Sequence, residues 1–223
     1  MLRWIQLAKA RVPGEGGELL LQQRGEEYSI RIDGYELMNT RVHGSEDALA
    51  ELACSQLKEP DRAHVLVGGL GMGFTLAAVL KSIGPGSKAT VAELVPEVVE
   101  WNRGPMGKAS GDPLSDPRTI VKTTDVAEVI RGSSNTFDAI LLDVDNGPAS
   151  LVAKGNDRLY TRSGLRAAHA ALRPDGILAI WSSADDPAFT RRLHENGFRA
   201  EIQRVGSHRN RGPRYWVWIA KRT

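Results

Sequence analysis

Residues 65–73 read VLVGGLGMG, and this stretch decides how the rest of the chain is arranged. Val65, Leu66 and Val67 form a short apolar run that is typical of a strand buried on both faces. Gly69, Gly71 and Gly73 then interrupt the apolar pattern before a helical pattern begins at Thr75. The stretch therefore predicts a strand, a glycine turn and a helix, in that order.

The glycine turn indicates a ligand that contains a nucleoside. Because Gly69, Gly71 and Gly73 lack side chains, the backbone can approach a ligand closely, and the free amides at a helix start favour electron-rich groups. The next predicted strand, over residues 89–92, is followed by Glu93. A carboxylate at that place can accept hydrogen bonds from the two hydroxyls of a ribose.

The spacing of these glycines argues against two common phosphate-binding motifs. The dinucleotide fingerprint places glycines first, third and sixth, whereas here they stand first, third and fifth. The single Gly-Lys pair, Gly107-Lys108, lacks the earlier glycine and the hydroxyl residue that a P-loop requires. A tight turn that only joins strand to helix is the alternative interpretation of the glycines alone.

Strand and helix patterns alternate from the glycine strand to the end of the chain. This alternation predicts an α/β fold with a Rossmann-like, doubly wound and mostly parallel sheet that has helices on both faces. The last two strands, over residues 199–204 and 215–220, are expected to form an antiparallel pair at one edge. Residues 45–223 are thus predicted to form one nucleoside-binding catalytic domain.

The first 44 residues have a different pattern. Short β-prone pieces are separated by glycine-containing turns, and Asp33-Gly34 is a two-residue signal that joins antiparallel strands. Residues 1–44 are therefore predicted to form a small β-hairpin appendage.

Composition narrows the possible partners. The chain of 223 residues is 41% hydrophobic and carries a formal charge of +2, which gives no general attraction to nucleic acid. We expect no specific nucleic-acid partner, and interpret the basic residues within 204–214 as a solvated hairpin loop. No apolar run is long enough for a membrane helix, the N-terminus does not resemble a secretory signal, and the histidines and single cysteine form no metal motif. These features predict a cytoplasmic protein without a metal.

Acidic residues follow several predicted strands, at the sheet edge where ligands bind in such folds. They are Glu93, Asp125, Asp143 and Asp145. An Asp directly before a helix is often only an N-cap, and this alternative applies to Asp125. Asp143 follows the apolar run AILL, so desolvation is expected to raise its pKa and to make it a usable proton acceptor.

The order of several motifs resembles one family. The motifs are VLVGGLGMG, VAELVPEVVEWNR, DPRTIVKTTD, FDAILLDVDNGPA, LYTRSGL and LRPDGILAIW. They resemble the spermidine synthase (polyamine aminopropyltransferase) family, which shares its nucleoside-binding core with S-adenosylmethionine-dependent methyltransferases. The resemblance covers residues 65–181. It implies a homodimeric transferase of polyamine biosynthesis that uses decarboxylated S-adenosylmethionine and a small amine.

The resemblance also assigns roles by position. The matching cofactor-binding positions are Gly69, Gly71, Gly73, Glu93, Leu94, Asp125 and Val126. Glu93 would hold the ribose, and Asp125 would hold the adenine amino group with Val126 against the ring. Asp143 would be the catalytic acid that activates the attacking amine. Asp145 and Tyr160 would contact the substrate.

The sequence departs from the family pattern at three places. The family's GGGDGG turn has an Asp that holds the aminopropyl ammonium, whereas this turn reads GGLGMG. Asp145 stands one place early in the family's acidic loop. Residues 43–49, HGSEDAL, offer Glu46 and Asp47 but no Tyr for a diamine, and acids in a first helical turn are typically solvated.

Two other functions fit the same acids. A small-molecule methyltransferase that uses intact S-adenosylmethionine fits the non-acidic glycine turn, because that turn then need not hold a free aminopropyl ammonium. A catalytically silent nucleoside-binding or assembly protein is the third reading, favoured if Asp143 is only a cap.

Overall fold

The computed structural model describes residues 2–14, 17–144, 157–208 and 211–223. Its N-terminal part is an antiparallel sheet of four strands in sequence order. The strands are β1 (Ile5–Arg11), β2 (Glu18–Arg24), β3 (Glu27–Ile32) and β4 (Tyr35–Asn39). Asp33 and Gly34 join β3 to β4 with positive φ angles of 47° and 86°, as expected for a tight hairpin turn. The predicted N-terminal hairpins are confirmed.

The second sheet has seven strands in the order β10-β11-β9-β8-β5-β6-β7. The strands are β5 (His64–Gly68), β6 (Lys88–Glu93), β7 (Thr119–Thr123), β8 (Phe137–Leu142), β9 (Leu172–Ser182), β10 (Phe198–His208) and β11 (Arg211–Arg222). The neighbours from β9 to β7 run parallel, whereas β11 lies antiparallel to both β9 and β10. The mostly parallel sheet and its antiparallel edge pair are confirmed.

Helices cover both faces of this sheet. They are α1 (Gly44–Cys54), α2 (Phe74–Ser82), α3 (Pro96–Arg103), α4 (Val126–Arg131), α5 (Asp157–Tyr160), α6 (Arg162–Ala171) and α7 (Pro187–Glu195). Val65 and Val67 of β5 pack into one hydrophobic cluster with α1, α2 and α3, while Leu66 between them packs into the other with α4, α6 and α7. Such alternation explains why all three residues of the strand are apolar.

The N-terminal sheet shares the first of these clusters. Leu21 and Ile30 lie in the same buried cluster as Leu49 of α1, so the appendage packs on the larger sheet. The division into units at residue 44 stays a prediction.

Cys54 is buried in the first hydrophobic cluster as well, and burial raises the pKa of its thiol to about 12, which agrees with a packing role. Within the described residues, no helix is both long enough and apolar enough to cross a membrane.

Candidate active site

The glycine turn connects β5 to α2 at the carboxyl edge of the sheet. Gly69, Gly71 and Gly73 all have positive φ angles, of 87°, 51° and 85°. A Cβ atom at Gly69 would overlap the carbonyl oxygen of Asp143, because the turn passes directly over the end of β8. The glycine there is thus required by the fold, in addition to any contact with a ligand.

Glu93 ends β6 and turns its carboxylate back toward the glycine turn. Its two oxygens accept hydrogen bonds from the backbone N–H of Leu70 at 2.9 Å and of Val95 at 2.8 Å. Burial raises the pKa of Glu93, and these amide bonds partly offset that effect. The backbone amides of Gly71 and Leu94 also act on this carboxylate and lower its pKa, so a ribose hydroxyl would share Glu93 with the amides of the turn. Leu94 beside it exposes 40% of its surface, which leaves apolar area for a ligand.

Asp125 caps helix α4. One carboxylate oxygen accepts a 2.7 Å hydrogen bond from the backbone N–H of Ala127, and the other forms an ion pair with Arg158 of α5. The N-cap interpretation is therefore confirmed, and the ion pair is a contact that the sequence did not indicate. Val126 is buried against Gly68 of β5. The roles of Asp125 and Val126 toward an adenine ring stay predictions.

Asp143 follows β8 and is held by both its backbone and its side chain. Its N–H donates to the carbonyl oxygen of Gly68 at 2.9 Å, and the hydroxyl of Thr75 donates to its Oδ2 at 2.5 Å. Protein atoms surround the carboxyl group densely, although Asp143 as a whole residue is only partly buried. This burial raises the pKa of Asp143, as expected, while the bond from Thr75 lowers it.

A second carboxylate, Glu46, faces Asp143. Burial, and then the charge of Asp143, raise the pKa of Glu46 to about 7, against the lowering effect of a hydrogen bond from Ser45. Glu46 is therefore not the solvated helix-start acid that its position suggested. The reason is that α1 packs against β8, β9, β10 and β11, so its first turn points toward the carboxyl edge of the sheet. Two like charges this close resist ionising together.

Aromatic residues from two further strands lie beside each other. Trp181 of β9 and Tyr215 of β11 have ring centroids 4.9 Å apart. Burial and then the charge of Glu46 raise the pKa of Tyr215. The buried Nε1 of Trp181 has no hydrogen-bond partner in the part of the chain that the structure describes. Sequence reasoning missed both residues. Trp181 ends the motif LRPDGILAIW but was given no role, and Tyr215 belongs to no motif.

The remaining predicted residues are placed as follows. Tyr160 is buried in the core, and its ring contacts Phe189 edge to face at 5.8 Å. Its substrate-binding role stays a prediction. Asp145 lies outside the described residues. Among those that are described, no three His, Cys, Asp or Glu side chains come together in a way that could hold a metal ion.

Known proteins resemble the chain in sequence. A profile of the spermine/spermidine synthase domain matches residues 43–208. The polyamine aminopropyltransferase of Bacillus subtilis (strain 168) is 32% identical over 139 residues. That alignment covers 61% of this chain and 46% of the relative, so the chain spans less than half of the relative's length.

Solved structures resemble it in fold. Spermidine synthase from Thermotoga maritima superposes with a TM-score of 0.77 at 20% identity, covering 98% of this chain and 73% of that one. A Burkholderia thailandensis 1,6-didemethyltoxoflavin-N1-methyltransferase superposes with a TM-score of 0.57 at 24% identity, covering 81% and 79%. Because the identities are low, these two superpositions show the fold alone. They confirm the methyltransferase-like α/β architecture.

Proposed function

This chain belongs to the spermine/spermidine synthase family, and from that premise we propose that it transfers an aminopropyl group from decarboxylated S-adenosylmethionine to a small amine. Such a reaction belongs to polyamine biosynthesis. The observation that carries the proposal is the pair of partly buried carboxylates, Asp143 and Glu46, at the carboxyl edge of the sheet. We also propose that the enzyme is a homodimer, as the family resemblance implies, and that it acts in the cytoplasm.

The two carboxylates are suited to binding and deprotonating the amine that accepts the aminopropyl group. An alkylammonium has a pKa near 10, so it must lose a proton before its nitrogen can attack. In the proposal Asp143 takes that proton, while Glu46 attracts the cation. A cation bound between the two carboxylates favours the ionised form of both, so substrate binding itself prepares the base.

The donor side rests on the residues around the glycine turn. Glu93 would accept from the ribose hydroxyls beside its bonds to backbone amides, and the exposed surface of Leu94 would contact apolar parts of the nucleoside. Asp125 and Val126 would meet the adenine, with Asp125 also capping α4. When bound, the donor supplies an electrophilic methylene beside its sulfonium and a thioether that leaves. The chain's part is to hold and align the reactants and to accept the proton.

One observation favours a second candidate function. The glycine turn carries Leu70 and Met72, both buried, and no acid that could hold the ammonium of an aminopropyl group. A methyltransferase that uses intact S-adenosylmethionine does not need an acid at this place. Asp143 would then take a proton from a different acceptor, and Glu93 and Asp125 would keep the same roles.

The test compares the two donors directly. Purified protein is incubated with labelled putrescine and decarboxylated S-adenosylmethionine, and in parallel with methyl-labelled S-adenosylmethionine and a panel of acceptors. Aminopropylated putrescine together with methylthioadenosine is the expected product pair. Methyl transfer alone would favour the second candidate. If neither donor reacts while methylthioadenosine still binds, the chain is a silent nucleoside-binding protein.

A further inference from the structure

Thr75 is the residue that contacts the carboxylate of Asp143, and no motif singled it out. It lies in the first turn of α2 with 3% of its surface exposed. Its hydroxyl donates a 2.5 Å hydrogen bond to Oδ2 of Asp143, which is short for a bond of this type. Among the described residues, Oδ1 of Asp143 accepts no hydrogen bond. The two carboxylate oxygens are therefore in different environments.

The hydroxyl of Thr75 donates to a side chain and not to a backbone carbonyl of its own helix. A threonine hydroxyl in a helix commonly donates to a backbone carbonyl one turn earlier, and it has a single proton to donate. In Thr75 that proton goes instead to a side chain on a different element, 68 residues further along the chain. The backbone of Asp143 is also held by Gly68 and packed under Gly69, so the bond from Thr75 acts on a side chain whose backbone is already fixed.

We infer that Thr75 is a positioning residue that reserves Oδ2 of Asp143 and leaves Oδ1 as the oxygen that receives the proton of the acceptor amine. This inference rests on the proposed amine alkylation. The proton moves from the ammonium nitrogen to Oδ1, and the nitrogen keeps the electron pair with which it attacks. A proton on Oδ2 would have to compete with the hydroxyl of Thr75, so the bond directs the proton to one atom.

The charged groups around Asp143 define what a pH measurement reports. Glu46 on α1 is the titratable group that faces it among the described residues. His43 on the same side and Tyr215 on β11 adjoin Glu46 in turn. The bond from Thr75 opposes the effect of burial on the pKa of Asp143. Loss of that bond therefore moves the titration of Asp143 to higher pH.

Two variants of Thr75 separate positioning from packing. Thr75→Val keeps the shape and removes the hydroxyl, whereas Thr75→Ser keeps the hydroxyl. We expect kcat/KM for aminopropyl transfer near pH 7 to fall about 10- to 100-fold in Thr75→Val, the scale of a hydrogen bond to a charged group. The acidic limb of its pH profile should move to higher pH, because the bond that lowers the pKa of Asp143 is lost. Thr75→Ser should restore both, and methylthioadenosine affinity should stay unchanged in each variant.

A double mutant tests whether Thr75 acts through Asp143. In an Asp143→Asn background, Thr75→Val should cause little further loss, because the group that it positions no longer accepts a proton. Equal losses in both backgrounds, or an unmoved acidic limb in Thr75→Val, would overturn the inference.

Carbon NMR of the Asp143 carboxyl group provides a readout that needs no turnover. The titration should move to higher pH in Thr75→Val, or in Thr75→Ala if the valine variant does not fold, and an unmoved titration would also overturn the inference. If the parent protein shows no transfer at all, the proposed function fails even where this titration shift is observed. The two failures are thereby distinguishable.

Discussion

Replacement of Glu46 by glutamine should change how the stability of the fold depends on pH. The pKa of Glu46 is raised from an ordinary 4.5 to about 7 in the folded protein. The folded state therefore binds a proton more tightly than the unfolded state. The stabilisation of the fold by this bound proton is complete below about pH 4.5 and is lost as pH rises through about 7. Above that, the ionised carboxylate beside Asp143 opposes folding.

The size of the effect follows from the same shift. A difference of one pKa unit corresponds to about 1.4 kcal/mol, so the shift of Glu46 corresponds to about 3 kcal/mol of unfolding free energy. Part of this free energy is shared with Asp143, whose pKa is raised as well. The free energy of unfolding of Glu46→Gln should consequently rise by about 2 to 3 kcal/mol relative to that of the parent as the pH is raised from about 4 to about 8.

The assay is urea unfolding of parent and variant at a series of pH values. Glu51→Gln is the matched control, since Glu51 lies on the same helix with its side chain exposed. Its curve should run parallel to that of the parent. Parallel curves for Glu46→Gln would refute the reasoning, because they would mean that Glu46 is solvated and does not face Asp143.

Two other substitutions test the glycine turn and the strand end beside it. Glu93→Ala should weaken methylthioadenosine binding by about 1.5 to 3 kcal/mol, the scale of hydrogen bonds to a charged group, and calorimetry showing unchanged affinity in the folded variant would exclude the ribose role. Gly69→Ala should destabilise the protein by clearly more than Gly111→Ala. Both residues have φ angles above 80°, which costs any other residue about 1 to 2 kcal/mol, but a Cβ at Gly111 meets open space while one at Gly69 overlaps the backbone of Asp143. Equal losses in urea unfolding would show that the turn can yield at Gly69.

Local patterns were sufficient to predict the parts of the site that lie within one strand-turn-helix unit. The run before Gly69 identified β5, and the acids after β6 and β8 were found because parallel strands end at the same edge of a sheet. The cap at Asp125 was one of two stated interpretations, since a single Asp before a helix has the same pattern in either role.

The acceptor side of the site could not be predicted in this way. Sequence spacing shows which residues share a face of α1, but it does not show which face meets β8. Ser45 illustrates the difficulty, because a serine at the start of a helical pattern is commonly its N-cap. The helix begins at Gly44 instead, and the hydroxyl of Ser45 donates to Glu46. Thr75 and Tyr215 reach the site only through tertiary packing of α2 and β11, and no local pattern marks them.

The substitution Asp143→Asn tests the central claim most directly, because it keeps the shape of the side chain and removes the proton acceptor. Aminopropyl transfer to putrescine is measured together with methylthioadenosine affinity in parent and variant. We predict that the rate falls about 100- to 10,000-fold, the usual contribution of a general base, while the affinity barely changes. Full transferase activity in Asp143→Asn would contradict the assignment of Asp143 as the base.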